Sequence, residues 1–571
     1  MHCFWFFRKH IDTTKELLRG NDTLSASSKK KLRAEENAAK LTEKQLSEKK
    51  EAKKVHIYTV AFCVVLAAMI VAAVWIGIRQ SITISGAREK KTVALTVGDH
   101  KINNVEMNYF FVDSVNQFYS QYGSYASIFG LDPTKPLNEQ VTDEETGKTW
   151  ADDFLASAQN SAQEAYAAVD AANAAGYTLP QETQDQVNTY LTNLDSYAKI
   201  YGFSSTDAYL KALYGNGAAK ESYAAYYTMN ALAGSYEDDY RSGLNFTEDE
   251  ISAKDAEDPT VYNNYSYHLY YLAVSKFLTG GTTDADGKTT YTDAENAAAQ
   301  AAAEEAAASL VSDEITSVED LDAAIAALSV NADTTAASSA YTDVASSSVL
   351  SAAADWIKAS ARKSGDKTYV ASTSTSTADD GTETTTINGY YAILFDGVND
   401  NRFPLANVRH ILVRFQGGTT DSNGSTTYSD DEKAAAMTSA QEILDQWKSG
   451  DATEESFAAL ATEKSTDTGS ASNGGLYENV YPGQMVTAFN DWCFDSSRKP
   501  GDTGIVETEY GCHVMYYSSD SDITYRNYKI TEDLRSSAYS QWRSDMIAGV
   551  SMTVGDSKYI RSDMVLSSGN N

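Results

Sequence analysis

The residues of this 571-residue chain whose types and spacing could do chemistry gather late in the sequence. His410 lies in the apolar run NVRHILVRF, and His513 lies in YGCHVMYY. Between them Asp467 sits in the Ser- and Gly-rich stretch STDTGSASNGGLY, and Thr508 stands five residues before the second histidine. Leu476, Met485 and Phe489 supply apolar surface at intervals between these polar groups. Each residue has an ordinary alternative. A histidine on a strand is usually a satisfied core or surface group. An aspartate in such a turn can simply close an Asx hydrogen bond. Met485 and Phe489, four apart, have plain helical core spacing. Other chemistries find less support: no serine sits in a nucleophile elbow, and there is no HExxH or paired CxxC to hold a metal.

Positioning these groups requires a strand, helix, helix, turn, strand, strand order, which reads as an α+β module with a small antiparallel sheet. The first strand is Asn407 to Phe415. The first helix carries apolar residues at helical spacing (Ala436, Ala440, Ile443, Leu444, Trp447) and is stopped by Gly450. A shorter helix covers Glu455 to Ser465, and a closing strand pair covers Gly504 to Tyr517.

Taken in order, RHILV, the aspartate ahead of Gly-Gly, GQM followed four residues on by Phe, and YGCHV resemble the parvulin family of peptidyl-prolyl isomerases over roughly 110 residues. The resemblance implies a reaction with a barrier of about 18–20 kcal/mol, set by the partial double bond of the X–Pro amide. Lowering it takes an apolar grip on the proline ring and polar groups that favour the twisted amide. No metal or cofactor is implied. Carried onto this sequence, the resemblance makes Leu476, Met485 and Phe489 the substrate-binding grip. His410 and His513 face each other and fix each other's tautomer, Thr508 bonds into that pair, and Asp467 stands beside the substrate carbonyl.

Ahead of this module, residues 1–55 form a lysine-rich tail, and Ile57 to Ile78 gives 22 residues without a charge. That length spans a hydrocarbon core, so a transmembrane helix is expected over 56–79. The cation cluster before it predicts a cytoplasmic N-terminus, an extracytoplasmic bulk and single-pass residence in the cell membrane. Phe62 before Cys63 speaks against a lipoprotein signal, and the long leader speaks against a cleaved one. Residues 1–91 carry 18 Lys/Arg and 9 Asp/Glu (net +9), and the remainder carries 28 and 70 (net −42). So acidic an ectodomain excludes nucleic acid as a partner. Cys493 and Cys512 read as free, buried thiols rather than a disulfide scaffold.

Residues 92–260 read as a short strand followed by helices near 150–174, 181–200, 205–214 and 218–242, separated by Gly176, Gly202 and Asn216-Gly217. The segment resembles the helical chaperone portion of SurA/PrsA-like foldases. Its tyrosines (166, 190, 197, 223, 226, 227, 236) either line a groove for unfolded chains or serve as helix packing.

An internal repeat sets the middle. GGTTDADGKTTYTDAENAAA (from Gly280) returns as GGTTDSNGSTTYSDDEKAAA (from Gly417), and DWIKASARKSGD returns as DWCFDSSRKPGD. Residues 261–398 are thus expected to be a second, degenerate parvulin-like module before the intact one at 403–520. Asn331 falls under Asp467, Val349 under Met485, Ala353 under Phe489 and Tyr391 under His513, with His268 the candidate counterpart of His410. Residues 521–571 should form a C-terminal helix, which in related foldases packs back onto the chaperone portion, and a tail. The expected function is an extracytoplasmic peptidyl-prolyl isomerase and folding chaperone, acting on unfolded or newly secreted polypeptides with X–Pro bonds. The rivals are a non-catalytic holdase and a wall-associated binding protein.

Overall fold

The computed structural model describes residues 86–566, apart from 333–334, 379 and 422–423. The expected membrane helix and the lysine-rich tail lie outside the described residues, as does the end of the tail. Among the described residues no helix is long and apolar enough to cross a membrane. The chain divides into two units: one comprises 86–246 with 532–566, the other 247–531.

The first unit is helical. Its long helices run Asn104–Tyr122, Trp150–Ala174, Gln181–Ile200, Thr206–Tyr214 and Lys220–Gly243. Asn103 caps the first by accepting from the backbone N–H groups of Val105 and Glu106. A strand at Met552–Val554 pairs with Val93–Val97, adding a third strand to the small sheet. The returning helix, Tyr525–Ala548, stacks Trp542 on Tyr240, with ring centroids 3.9 Å apart, and the Tyr539 hydroxyl donates to Glu237 at 2.6 Å. The tyrosines resolve in favour of packing. Tyr190, Tyr223 and Tyr226 are buried in the core with Tyr109, Tyr209 and Tyr214, and none of the seven is an exposed groove lining. Several of their hydroxyls are satisfied inside: Tyr226 donates to Asp113 at 2.7 Å, and Tyr190 bonds Tyr223 at 3.1 Å, whereas the Tyr209 hydroxyl has no hydrogen-bond partner among the described residues.

The second unit holds two four-stranded antiparallel sheets. The first contains β1 (Asn264–Ala273), β2 (Ser339–Ala345), β3 (Lys367–Thr377) and β4 (Glu383–Asn399), in the order β2-β1-β4-β3. Helices α1 (Asp293–Ser309) and α2 (Val318–Ala327) connect β1 to β2. The second sheet contains β5 (Pro404–Arg414), β6 (Leu476–Val480), β7 (Thr503–Thr508) and β8 (Gly511–Thr524), in the order β6-β5-β8-β7. Helices α3 (Asp430–Ser449) and α4 (Glu454–Lys464) connect β5 to β6, and α5 (Thr487–Cys493) precedes β7. The repeated strand order accompanies the repeated sequence. Both long connecting helices even start with the same device, a capping box of Thr292 with Glu295 and of Ser429 with Glu432.

Strand alternation sorts the second sheet into two faces. Ile411, Cys512, Val514 and Tyr516 pack with Leu444 and Trp447 of α3 and Phe457 of α4. Val408, Met515 and Tyr517 pack on the other side with Met485 and with Phe489 and Cys493 of α5. His410 and His513 belong by alternation to this second face. Cys493 and Cys512 are free and buried, and burial pushes both thiols above their ordinary range.

The register corrects one expectation. His410 is paired with Met515, and His513 with Leu412. In the first sheet Tyr391 is paired with Tyr271, and Ile393 with Leu269. With Tyr391 at the His513 position, the residue at the His410 position is Leu269, not His268. One residue of slip reverses the face. His268 therefore lies on the helix side, where its Nδ1 bonds the Ser338 hydroxyl at 3.0 Å. It takes the place of Arg409, whose Nε donates to Glu454 at 2.9 Å on the corresponding side of the other sheet.

Candidate active site

Strand β5 delivers His410 and strand β8 delivers His513, 1% and 3% exposed. Their Nδ1 atoms are 2.9 Å apart, and the rings stack at 19° with centroids 5.1 Å apart. His410 Nε2 lies 2.9 Å from Asp467 Oδ2, and His513 Nε2 lies 2.8 Å from the Thr508 hydroxyl. The structure thus brings the four polar residues picked out in the sequence into one hydrogen-bonded chain.

Hydrogen-bond logic assigns its protons. An ionised Asp467 can only accept, so His410 Nε2 carries a proton. Neutral His410 then offers a bare Nδ1, so His513 Nδ1–H donates across the pair. His513 Nε2 is left to accept from Thr508. With both rings neutral, each ring nitrogen of the pair has one role, donor or acceptor.

Two further side chains belong to the network and were not picked out in the sequence. The Ser470 hydroxyl donates to Asp467 Oδ2 at 2.6 Å and lies 3.1 Å from His410 Nε2, and Tyr477 donates to the same carboxylate oxygen at 2.8 Å. The D-x-x-S spacing and the tyrosine directly after Gly-Gly-Leu were the available signals. Burial pushes the Asp467 carboxyl up, but the hydrogen bonds from His410, Ser470 and Tyr477 outweigh it and hold it well below the usual carboxylate range.

The apolar residues close one side. Phe489 packs edge-on against both imidazoles, with centroids 5.4 Å from His410 and 5.5 Å from His513. Met485 joins the same buried cluster. Leu476, expected in the grip, is half-buried on β6 and paired with Arg409, so it lies on the helix side of the sheet; the next residue, Tyr477, faces the site instead, with its ring 5.3 Å from that of His410.

The Gly-Gly turn makes the site possible. Gly475 has φ +72°, and a Cβ there would lie 2.2 Å from the His410 carbonyl oxygen. Its own carbonyl accepts the His410 backbone N–H at 2.9 Å. Arg409 ties the same turn down by donating to the Asn473 and Gly474 carbonyls, both at 3.1 Å. Gly475→Ala is therefore expected to cost about 1–3 kcal/mol in strain and to unpair β6 from β5. Hydrogen exchange of residues 407–412 should accelerate while exchange in α3 stays unchanged.

Residues 398–518 match the family model described as the PPIC-type PPIASE domain. This module is a parvulin domain. Over 112 residues it is 36% identical to foldase protein PrsA 1 of Listeria innocua, spanning 20% of this chain and 30% of that protein. Over 122 residues it is 37% identical to chaperone SurA of Chromohalobacter salexigens, spanning 21% and 22%. The chain thus aligns with less than a third of the length of these curated relatives. Among solved structures it is similar to the peptidylprolyl isomerase PrsA from Bacillus cereus, with 24% identity over 26% of this chain and 50% of that one and a TM-score of 0.17. The strands, helices and hydrogen-bonded chain described above lie inside the matched parvulin segment. The first module, with Leu269 and Tyr391 at the histidine positions, lies outside it. Asn331, aligned on Asp467 by sequence, is occupied elsewhere, bonding the Tyr270 hydroxyl and the Ile325 carbonyl on the helix side.

Proposed function

We propose that this protein is an extracytoplasmic peptidyl-prolyl isomerase and folding chaperone, catalytic in its second module only. The observation that carries the reading is the Thr508–His513–His410–Asp467 chain lying against Phe489 within a parvulin domain. Rotation about an X–Pro bond breaks no bond to a nucleophile and needs no proton removed from substrate. It needs the proline ring held while the amide carbonyl turns. Phe489 and Met485 supply apolar surface, and the Tyr477 ring lies beside His410 on the same face. The preorganised network places polar groups where the twisted amide's altered charge is stabilised. A fixed tautomer matters because a ring flip would replace a donor by an acceptor at that place. The test is turnover of a prolyl tetrapeptide by the full-length protein; no acceleration over the uncatalysed rate sinks the reading.

The proposal includes the membrane. The uncharged stretch 57–78 acts as an uncleaved anchor with residues 1–55 in the cytoplasm, and the helical unit and first module hold unfolded clients outside. Protease added to intact protoplasts should digest the bulk and leave a small fragment containing residues 1–55. A mature chain starting at Arg88 contradicts this.

Substrate charge is a further expectation. A phosphate before proline needs Arg or Lys in charge-assisted contact. The segment between β5 and α3 reads RFQGGTTDSNGSTTYSDDEK, where Arg414 is the only cation before Lys433, and Asp421, Asp430, Asp431 and Glu432 add negative charge. Neutral or cationic residues before proline should give higher kcat/KM than glutamate or phosphoserine, most clearly at low salt. Preference for the phosphorylated peptide refutes it.

A further inference from the structure

The first module has lost the histidine pair but has not become a featureless copy. The two β-hairpins align through matching backbone bonds: Gly365 N–H to the Phe395 carbonyl in one and Gly501 N–H to the Tyr517 carbonyl in the other, both 2.8 Å. From there the ladders assign every position on the face that carries the active site in the parvulin domain. Tyr391 stands for His513, Leu269 for His410 and Tyr271 for Leu412. Tyr341, paired with Tyr267, stands for Tyr477, which is paired with Val408. Of the histidine pair, one position now carries an aromatic ring, Tyr391, and the other an apolar side chain, Leu269; Tyr271 adds a ring where Leu412 stands, Tyr341 keeps that of Tyr477, and Phe489 gives way to Ala353.

These rings form two pairs. Tyr267 and Tyr341 stack at 4° with centroids 5.0 Å apart, and Tyr271 and Tyr391 lie 4.8 Å apart. Gly389 makes room for the second pair, since a Cβ there would come within 2.7 Å of the Tyr271 ring. Beneath them Ile393, Phe395 and Val349 form a buried apolar floor. Tyr341 on the edge strand is 38% exposed, and Tyr271 and Tyr391 are half-buried.

We infer that this tyrosine face is a non-catalytic binding site for extended, proline-bearing segments of unfolded polypeptide. Proline segments in the polyproline II conformation have no internal hydrogen bonds, and they dock on aromatic-lined surfaces at low entropic cost. Tyrosine rings offer faces to the pyrrolidine ring and hydroxyls to the segment's free carbonyls. The position argues for the same occupant: this face corresponds by register to the one that takes proline in the proposed isomerase. With Leu269 where His410 would stand, the face can hold a prolyl bond but has no imidazole chain to act on it. The inference rests on the proposed function for the kind of client, and it adds a second proline site that retains segments near the catalytic one.

The test is calorimetric titration of the full-length protein in detergent micelles with a twelve-residue peptide of repeating Ala-Pro-Pro and with its all-alanine counterpart. Two proline-dependent sites per chain are expected. Tyr341→Ser, an exposed position, and Tyr391→Leu, which keeps the floor apolar, should each weaken one site by about tenfold and leave kcat/KM for a short prolyl tetrapeptide unchanged. A single site, equal binding of the alanine peptide, or indifference to both substitutions overturns the inference even if turnover is normal. Absence of turnover with a tyrosine-dependent proline site intact supports the inference and refutes the isomerase reading instead.

Discussion

Replacing Arg526 with alanine will lower the stability of the 247–531 unit by about 3–5 kcal/mol, the cost of removing one partner from a buried ion pair. Arg526 is 1% exposed. Its Nε donates to Asp255 at 2.7 Å, Nη1 to Asn263 at 2.8 Å and to the Asp400 carbonyl at 3.0 Å, and Nη2 to the Pro259 carbonyl at 2.6 Å. The backbone adds a bond from Arg526 N–H to the Asn401 carbonyl at 2.6 Å. One guanidinium thus ties together the chain entering the first module, the link between the modules and the start of the last helix. Truncation strands several buried acceptors at once, each costing about 1–3 kcal/mol when left unsatisfied. Arg402, which also contacts Asp255 at 2.7 Å, returns part of the loss. Arg526→Lys should rescue little, because an ammonium cannot reproduce the planar fork. Burial raises the Asp255 carboxyl, but its bonds to Arg526 and Arg402 lower it further, leaving the net pKa below the ordinary value. Its folded pKa being depressed, the stabilisation is present above the unfolded carboxylate pKa of about 4 and is lost as the pH falls below it. Calorimetric melting at pH 7 and pH 3 checks both statements. The gap between wild type and Arg526→Ala should narrow at pH 3; an unchanged melting temperature at pH 7 refutes the first.

What the sequence could reveal divides along physical lines. The helices of the first unit were legible because Gly176 and Gly202 interrupt a 3.6-residue apolar period, and the helices stop where those glycines stand. The hydrogen-bonded chain from Thr508 to Asp467 was legible because its residues sit in spaced, family-like motifs. The counterpart of His410 was misplaced because the repeat offset is not constant. Leu269 and His410 differ by 141 positions, Tyr341 and Tyr477 by 136, and Tyr391 and His513 by 122: extra residues between β1 and the GGTT stretch shift the first, and the long β3–β4 hairpin shifts the last. An error of one residue is enough to send a strand side chain to the opposite face. Ser470 was hidden because a serine bonding the Asp467 carboxylate looks like any serine of a Ser-rich turn. Arg526 was hidden for another reason: its side-chain partners lie 126 to 271 residues away in sequence, and no local pattern marks such a contact.

Asp467→Ala is expected to reduce kcat/KM for a prolyl tetrapeptide by about 10²–10³, the usual scale for removing one preorganised electrostatic group. The carboxylate is the single acceptor that orders the whole chain. It takes the His410 Nε2 proton at 2.9 Å and the Ser470 and Tyr477 hydroxyl protons at 2.6 and 2.8 Å. Without it His410 gains no advantage from keeping its proton on Nε2. The Nδ1 proton can then turn toward His513, which reverses the donor and acceptor roles through to Thr508. The side chain of Asp467 is 17% exposed, so water can reach the gap and the fold should survive, which circular dichroism would verify. Asp467→Asn separates the two roles of the carboxylate. Its amide oxygen can still accept from His410, so the tautomer is kept while the charge is lost, and an intermediate rate is expected. Nitrogen-15 spectra of the imidazoles read the tautomers directly. Wild type and Asp467→Asn should show one fixed tautomer for each ring, and Asp467→Ala a mixture. Protonation of Asp467 itself should cost rate only in acid well below the usual carboxylate range, because the same hydrogen bonds that order the site resist it. A rate that titrates away near an unperturbed carboxylate value would contradict that resistance to protonation, and an alanine variant with full turnover would remove Asp467 from the reaction and leave it a turn residue.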